Sequence, residues 1–343
     1  MPDKRFDGRD ETVIDRDLPI IDAHHHLFDR PALRYLLDDY LADVGAGHKI
    51  VASAYCETQA FECSEGPQVL RPLGEIEFAN GVAAMSASGR YGATRVCAAI
   101  VGYADLRHGE AIAPLLDRAL EAAPGRFRGV RQVTIEHPSE EPFRYMTHPP
   151  PAGIMKSAGF HAAFKQLAVR RLSFDAAVFH HQLPDIAALA AAFPDTPIVL
   201  NHMGMAMALG ANEQQRAGVF REWSDSLRLL ARRPNVVCKV GGLGMPFWGF
   251  GFESRTDAIG YAELAAAWAP CRNGDRCVRR RALHDGKQFS PGRQIMRLRS
   301  VVERVKAYRA KLLELGKGCA FPRHRRACLS HACPGASRGC RQA

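Results

Sequence analysis

The sequence of 343 residues has no long apolar run, and its first nineteen residues, MPDKRFDGRDETVIDRDLP, carry charges throughout. A membrane span needs about eighteen or more consecutive apolar residues and a signal peptide needs an apolar central region, so we expect neither. With 47% apolar and 24% charged residues, the chain is also unlike disordered or collagen-like proteins. We therefore expect a cytoplasmic globular protein that does not contact a membrane.

The positive charge is unevenly distributed along the chain. Of the 46 basic and 36 acidic residues, 19 and 4 lie from Cys271 onward, which leaves 27 and 32 in residues 1–270. Six of the 10 cysteines also lie from Cys271 onward. Residues 271–343 therefore carry a net charge of +15 and residues 1–270 a net charge of −5, and this mildly acidic body does not predict a nucleic-acid partner.

In the body, short β-rich runs alternate with segments of helical periodicity, which predicts parallel strands covered by helices. A (β/α)8 TIM barrel has eight such units, and seven strands are recognisable here. A doubly wound sheet would need a Gly-rich turn after the first strand, where this chain has histidines. The predicted strands are Ile20 to Phe28, Ile50 to Glu57, Val96 to Tyr103, Phe127 to Val133, Leu172 to His180, Pro197 to Met203 and Val236 to Gly242.

The first strand contains Asp22, Ala23, His24, His25 and His26 in succession. Alternation along a strand places the first and third histidines on one face and His25 on the other. Two imidazoles converging at a barrel mouth can hold a metal ion, although histidines satisfied in the core are the simpler alternative. We expect Asp22, on the same face, to orient a histidine.

The other predicted strands also end in polar residues, where a barrel places its active site. We expect His202 to act as an acid or base and Arg131 to bind a substrate carboxylate. Charges at strand ends often only solvate a rim, so these roles stay open. The remaining candidates are Glu57, Tyr103 and Lys239 for substrate binding and His180 at the end of the fifth strand.

Five motifs in order, IIDAHHHLFD, RFRGVR, LSFDAAVFHHQL, AFPDTPIVLNHMG and NVVCKVGGLGMP, resemble the amidohydrolase-related, metal-dependent hydrolases. The resemblance covers about residues 14–270 and is strongest to the branch with sugar-lactone and dicarboxylate-lactone hydrolases. It implies a divalent ion, with zinc favoured, held by His24, His26 and His180, and an acid/base role for His202. Metal-free lactonases share this scaffold. The aspartate that the family has on strand eight has no counterpart here.

The resemblance implies a hydrolase of a small, carboxylated cyclic ester or amide, using a divalent ion as Lewis acid. A non-oxidative decarboxylase of the same superfamily and a catalytically inactive remnant are the alternatives. A small molecule is the expected partner, and association into a homo-oligomer stays open.

The break at residue 270 predicts a shift in reading frame. Permitted codons for residues 271–294, read one base later, can encode AETAIDAFGAERCMMESNFPPVD, which has a helix and an apolar strand where strand eight belongs. A zinc module is disfavoured, because Cys319, Cys328, Cys333 and Cys340 are separated by nine, five and seven residues, unlike the close cysteine pairs of zinc modules. We therefore divide the chain into an incomplete barrel domain, residues 1–270, and a basic, out-of-frame region, residues 271–343.

Overall fold

The computed structural model describes residues 16–268, except residues 32, 147, 256–258 and 260. The predictions made for residues 271–343, including the shifted reading frame, lie outside the described residues. No helix in the described part of the chain is long and apolar enough to cross a membrane.

Seven parallel strands form one curled sheet, and each strand pairs with the next one along the chain. This confirms the predicted barrel architecture with seven recognisable strands. The strands are β1 Pro19–His25, β4 Lys49–Cys56, β5 Arg95–Tyr103, β6 Phe127–Val133, β7 Ser173–Ala177, β8 Ile198–Leu200 and β9 Val236–Cys238. A short antiparallel hairpin, β2 Phe28–Arg30 and β3 Leu33–Tyr35, follows β1.

Helices fill the connections between the parallel strands. They are α1 Leu37–Val44, α2 Leu73–Ala87, α3 Ala113–Ala122, α4 Ala158–Val169, α5 Leu183–Ala192, α6 Glu213–Leu230 and α7 Tyr261–Trp268. Ser157 caps α4 by accepting from the amide of Phe160, and Asn212 and Gln215 form a reciprocal capping box at the start of α6, which satisfies amides that a helix start leaves free.

The main core lies between the sheet and these helices. Phe174 in β7 is fully buried and packs against Phe160 and Phe164 of α4, with ring centroids 5.5 and 5.4 Å apart. A buried phenylalanine contributes roughly 3 to 5 kcal/mol relative to alanine. This packing fixes the middle strands, and with them the side chains that follow their carboxyl ends.

Five strands end earlier than the sequence predicts, including β1 at His25 instead of Phe28 and β4 at Cys56 instead of Glu57. The fifth predicted strand runs to His180, but β7 ends at Ala177. Likewise β8 ends at Leu200, before His202, and β9 ends at Cys238. After β7 and β8 the apolar runs continue because the short helical turns that follow these strands are buried as well. An apolar run therefore records burial and not where the strand pairing stops.

Candidate active site

Two histidines at the carboxyl end of β1 face each other. The Nε2 atoms of His24 and His26 lie 3.0 Å apart, and Nδ1 of His26 lies 2.9 Å from the carbonyl oxygen of Cys56 on the neighbouring strand. Burial lowers the pKa of both rings, and the positive charge of Arg131 adds to the effect. Both imidazoles are therefore uncharged at neutral pH, which leaves ring nitrogens able to accept a proton or bind a metal ion.

His25 points to the other side of β1, as alternation along the strand predicts. Its Nδ1 lies 2.9 Å from the carbonyl oxygen of Ala54, and its ring stacks on Tyr40 of α1 with a centroid distance of 4.4 Å. The side chain is fully buried. This contact with α1 places His25 in the core between sheet and helix, so the prediction for His25 is confirmed.

His202 lies beside His24, with ring centroids 4.5 Å apart. Its backbone and that of Met203 are left-handed, with φ of 50° and 56°, a conformation that costs non-glycine residues roughly 1 to 3 kcal/mol and recurs at functional sites. Among the described residues, its buried Nδ1 atom has no hydrogen-bond partner. Burial, with the charges of Arg131 and Lys239, lowers the pKa of His202 to about 3.

Gly242 makes room for the His202 ring. A Cβ atom at this position would lie 2.5 Å from Nδ1 of His202, and the φ of Gly242 is 67°. Both the space and the backbone conformation therefore require glycine here. The loop after β9 thus fits closely against the histidine that follows β8.

Arg131 and Glu57 form a buried ion pair. Arg131 Nε donates to Glu57 Oε1 at 2.7 Å, and Nη2 donates to the carbonyl oxygen of Glu57 at 2.8 Å. The remaining nitrogen, Nη1, lies 3.2 Å from Nε2 of His24. Burial alone would lower the pKa of Arg131, but Glu57 and other negative neighbours raise it. The guanidinium therefore links the β4 carboxylate to the β1 histidine.

A second buried ion pair, which the sequence did not predict, joins Lys239 to Asp175. Lys239 Nζ donates to Asp175 Oδ2 at 2.6 Å and lies 3.4 Å from Cys56 Sγ. Asn201 Nδ2 also donates to Asp175 Oδ2, at 3.0 Å. Cys56 Sγ in turn lies 3.4 Å from Nδ1 of His24. Donor atoms of His24, Cys56 and Asp175 all lie within 4.8 Å of one another.

His180 is not brought to this cluster in the described structure. Its Nδ1 accepts from the amide of Met207 at 3.0 Å, and its Nε2 lies 3.8 Å from Glu222 of α6. Because β7 ends at Ala177, His180 begins a helical turn that directs the ring towards α6. Burial, with His181 and His137 nearby, lowers the pKa of His180 to about 4.

Asp22 and Tyr103 lie at the edges of the site. Asp22 accepts from the hydroxyl of Tyr40 at 3.0 Å and from the backbone amide of His24 at 3.3 Å, so its contact with His24 is made through the main chain. Tyr103 ends β5 and is partly buried. Burial, with the carboxylates of Asp105 and Glu57, raises its pKa, so its hydroxyl remains a hydrogen-bond donor at neutral pH.

The structure therefore gathers six of the predicted residues, together with Cys56 and Asp175, at the carboxyl ends of the strands. The six are His24, His26, Glu57, Arg131, His202 and Lys239, the last of which joins through Cys56 and Asp175. Asp175 had a sequence signal, since it is an acid inside the apolar run LSFDAAVF. For Cys56 the only signal in the sequence was its position directly before the predicted site residue Glu57.

Comparison with known proteins identifies the family. The family model described as Amidohydrolase matches residues 21–273. An uncharacterized protein, y4mH, of Sinorhizobium fredii is 30% identical over 260 residues, covering 69% of this chain and 77% of that protein. An L-fucono-1,5-lactonase of Burkholderia multivorans is 28% identical over 233 residues, covering 65% and 68%. The chain belongs to the Amidohydrolase family and is a hydrolase of that class.

A solved structure supports the fold. An amidohydrolase of Burkholderia multivorans, crystallised with bound HEPES, matches with a TM-score of 0.53 and 23% identity, covering 75% of this chain and 80% of that one. The family match ends at residue 273, directly after the change in composition at Cys271. The family match therefore ends close to the position where the composition of the sequence changes.

Proposed function

We propose that this hydrolase opens small cyclic esters, lactones, that carry a carboxylate. The observation that carries the proposal is the buried, uncharged His202, whose Nδ1 is without a hydrogen-bond partner among the described residues and whose ring lies against His24. A general base needs a free lone pair at the place where water must lose a proton. The likeness to an L-fucono-1,5-lactonase supports the lactone as substrate class.

In this proposal His202 accepts the proton of the attacking water. Its lowered pKa keeps it neutral at neutral pH, and the close approach of Gly242 holds the ring in one orientation. The protonated ring would then return the proton to the leaving alkoxide of the opened ring. Buried donors near the carbonyl oxygen would stabilise the negative charge that develops there.

The family is metal-dependent, and the donors at the end of β1 fit a divalent ion. Two uncharged imidazoles face each other through Nε2 atoms 3.0 Å apart, and His26 is oriented by its second nitrogen, as metal-binding histidines usually are. His24 and His26 would hold the ion. When bound, such an ion polarises the substrate carbonyl and lowers the pKa of a water molecule.

Arg131, Lys239, Glu57 and Tyr103 are the proposed substrate contacts. Both cations are buried and each is paired with a carboxylate. Nη1 is the terminal nitrogen of Arg131 that makes no bond to Glu57, and a substrate carboxylate would give it a charged acceptor that a neutral lactone lacks. Arg131→Gln should therefore raise KM for carboxylated lactones far more than for neutral lactones of the same ring size. Equal effects on both would remove Arg131 from the substrate site.

The test is lactone hydrolysis by the protein with its reading frame restored after residue 270, assayed on five- and six-membered lactones with and without a carboxylate. His202→Asn should lower kcat by about 100-fold or more, the usual contribution of a general base. The matched control is His161→Asn, since His161 lies on α4 and its Nε2 contacts the carbonyl oxygen of Met155. Equal turnover by both variants would contradict the proposal.

A further inference from the structure

A lysine ammonium already lies among three potential metal ligands. Lys239 Nζ lies 2.6 Å from Asp175 Oδ2 and 3.4 Å from Cys56 Sγ. The donor atoms of Cys56, Asp175 and His24 lie within 4.8 Å of one another. The Lys239 and Asp175 side chains are almost completely buried. A positive charge is therefore stabilised at this position by the same groups that would bind a metal ion.

These donors are distinct from the facing Nε2 atoms of the two β1 histidines. His24 presents Nε2 to His26 at 3.0 Å and Nδ1 to Cys56 Sγ at 3.4 Å. Ligand atoms bonded to one zinc ion at about 2.0 to 2.3 Å lie roughly 3 to 4 Å apart. The distance between Nδ1 and the sulfur already falls in that range. A thiol beside an imidazole and a carboxylate favours a borderline-soft cation such as zinc or cobalt over magnesium or calcium.

We propose that His24, Cys56 and Asp175 form a thiolate-containing site for a zinc-like divalent cation, and that Lys239 occupies it as a competing cation. This rests on the proposed function only in sharing His24 and Lys239 with it, and because a neutral imidazole has one nitrogen free to bind a metal ion, His24 would hold an ion either here or with His26. Binding forms a metal–sulfur bond and releases the thiol proton to solvent. The Lys239 ammonium leaves at the same time, so a dication with one thiolate and one carboxylate replaces an ammonium with one carboxylate, and the local charge stays balanced.

Lys239 is suited to such an exchange. Its flexible stem lets the ammonium move away without displacing the backbone, and Asn201 continues to donate to Asp175 once the lysine has left. The lysine therefore weakens metal binding by competition. Removing its charge should tighten binding, in contrast to the removal of a ligand.

The experiment uses cobalt(II) as the probe, because a cobalt–thiolate bond gives a near-ultraviolet charge-transfer band that oxygen and nitrogen ligands do not. It uses the protein with its reading frame restored after residue 270, the form expected to be soluble, with every cysteine beyond that residue replaced by serine. We expect this protein to show the band and Cys56→Ser to lose it. Cys97→Ser is the matched control, since Cys97 is also a buried thiol beside a histidine, 3.6 Å from Nε2 of His25.

Lys239→Met should bind cobalt at least tenfold more tightly, and Asp175→Asn at least tenfold more weakly. Lys239→Gln, which keeps a hydrogen-bond donor for Asp175, should also tighten binding and serves if the methionine variant does not fold. His161→Asn, on α4 and in contact with the carbonyl oxygen of Met155, should leave the band and the affinity unchanged. Far-ultraviolet circular dichroism checks the fold of each variant.

A band that survives Cys56→Ser, the absence of any band in the parent protein, or weaker binding in both folded Lys239 variants would overturn this inference. The outcomes separate it from the proposed function. If the protein binds cobalt through Cys56 but hydrolyses no lactone, the proposed function is contradicted and the metal site is not. If it is an active lactonase without the band, the metal site is contradicted and the function is not.

Discussion

The middle strands and the end strands of the sheet differ in how far they are buried. In β7 every residue after Ser173 is buried, and in β6 five of seven residues are. In β1 and β9, by contrast, Ile21 is 45% and Val237 is 54% exposed. Within the described residues, β1 pairs with β4 alone and β9 with β8 alone. Apolar side chains are therefore more exposed to solvent on the two end strands than in the middle of the sheet.

The candidate site draws residues from both the end strands and the middle strands. His24 and His26 follow from the end strand β1 and Lys239 from the end strand β9, while Arg131 and Asp175 belong to the middle strands β6 and β7. The two buried ion pairs and the His24 contacts join the ends to the middle. The geometry of the candidate site therefore requires that both end strands keep their positions, which the packing of the middle strands does not ensure.

The largest expected effect comes from restoring the reading frame after residue 270. The restored sequence would supply an apolar strand between β9 and β1, and losing a core strand costs more than the roughly 5 to 15 kcal/mol that stabilises a domain. We expect the 343-residue chain to aggregate or be degraded when expressed, and the restored protein to be soluble. Size-exclusion chromatography and thermal unfolding measure this. A sharp cooperative transition with full activity from the 343-residue chain would show the prediction to be wrong.

The next prediction concerns the middle of the sheet. Phe174→Ala should lower the free energy of unfolding by about 3 to 5 kcal/mol, because the cavity opens against two further phenylalanines. Urea denaturation of the restored protein measures it. The matched control is Val169→Ala on α4, where the side chain is 76% exposed and a change within about 0.5 kcal/mol is expected. Equal losses in the free energy of unfolding for the two variants would mean that packing around the middle strands does not stabilise the fold.

Much of the fold could be predicted from the sequence. Alternating apolar runs and helical periods were enough for the seven strands and their order. They could not predict the hairpin of β2 and β3, because strands of three residues carry no period. They also placed His180 on a strand, since the apolar run in LSFDAAVFHH does not show where pairing with β8 stops.

The candidate site could be predicted where reactive residue types also follow the alternation of a β-strand. The sequence HHH in a strand was enough to separate His24 and His26 from His25. Arg131 was predicted at the mouth, but its pairing with Glu57 joins residues 74 positions apart and no local pattern contains it. The same holds for Asp175 and Lys239, 64 positions apart, whose contact only the curled sheet creates.

The ion pair between Asp175 and Lys239 tests the link between end and middle. Lys239→Met should cost about 3 kcal/mol in the metal-free restored protein, at the low end for a buried pair because Asn201 still donates to the carboxylate. Adding Asp175→Asn should recover much of the loss, since no buried charge is then unpaired. Arg228→Met breaks an exposed pair with Asp225 and should cost within about 0.5 kcal/mol. Chemical denaturation compares the three, and a loss as small for Lys239 as for Arg228 would refute the link.

The pH dependence of stability tests whether the middle of the sheet excludes water. The pKa of His180 is about 4 in the folded protein, below its ordinary value near 6.5, so between these values the unfolded chain binds the proton that the folded one does not. Stability should therefore fall as pH is lowered from about 6.5 to about 4. In His180→Asn the loss of stability should be smaller, because one fewer proton is taken up on unfolding. Urea midpoints at several pH values measure this. An unchanged slope would mean that His180 is hydrated.

The smallest effect sharpens the comparison most directly, because it depends on one side chain at an edge. Val237 in β9 is 54% exposed in the described structure, so Val237→Ala should cost within about 0.5 kcal/mol if that edge stays open. If the restored sequence adds a strand beside β9, the side chain becomes buried and the two lost methyl groups should cost about 1 to 2 kcal/mol, at about 0.8 kcal/mol each. Urea denaturation of the restored protein with and without the substitution distinguishes the two values. Ile21→Ala on β1 should respond in the same way, since one inserted strand covers both edges, and a response at only one of them would mean that the barrel is not closed.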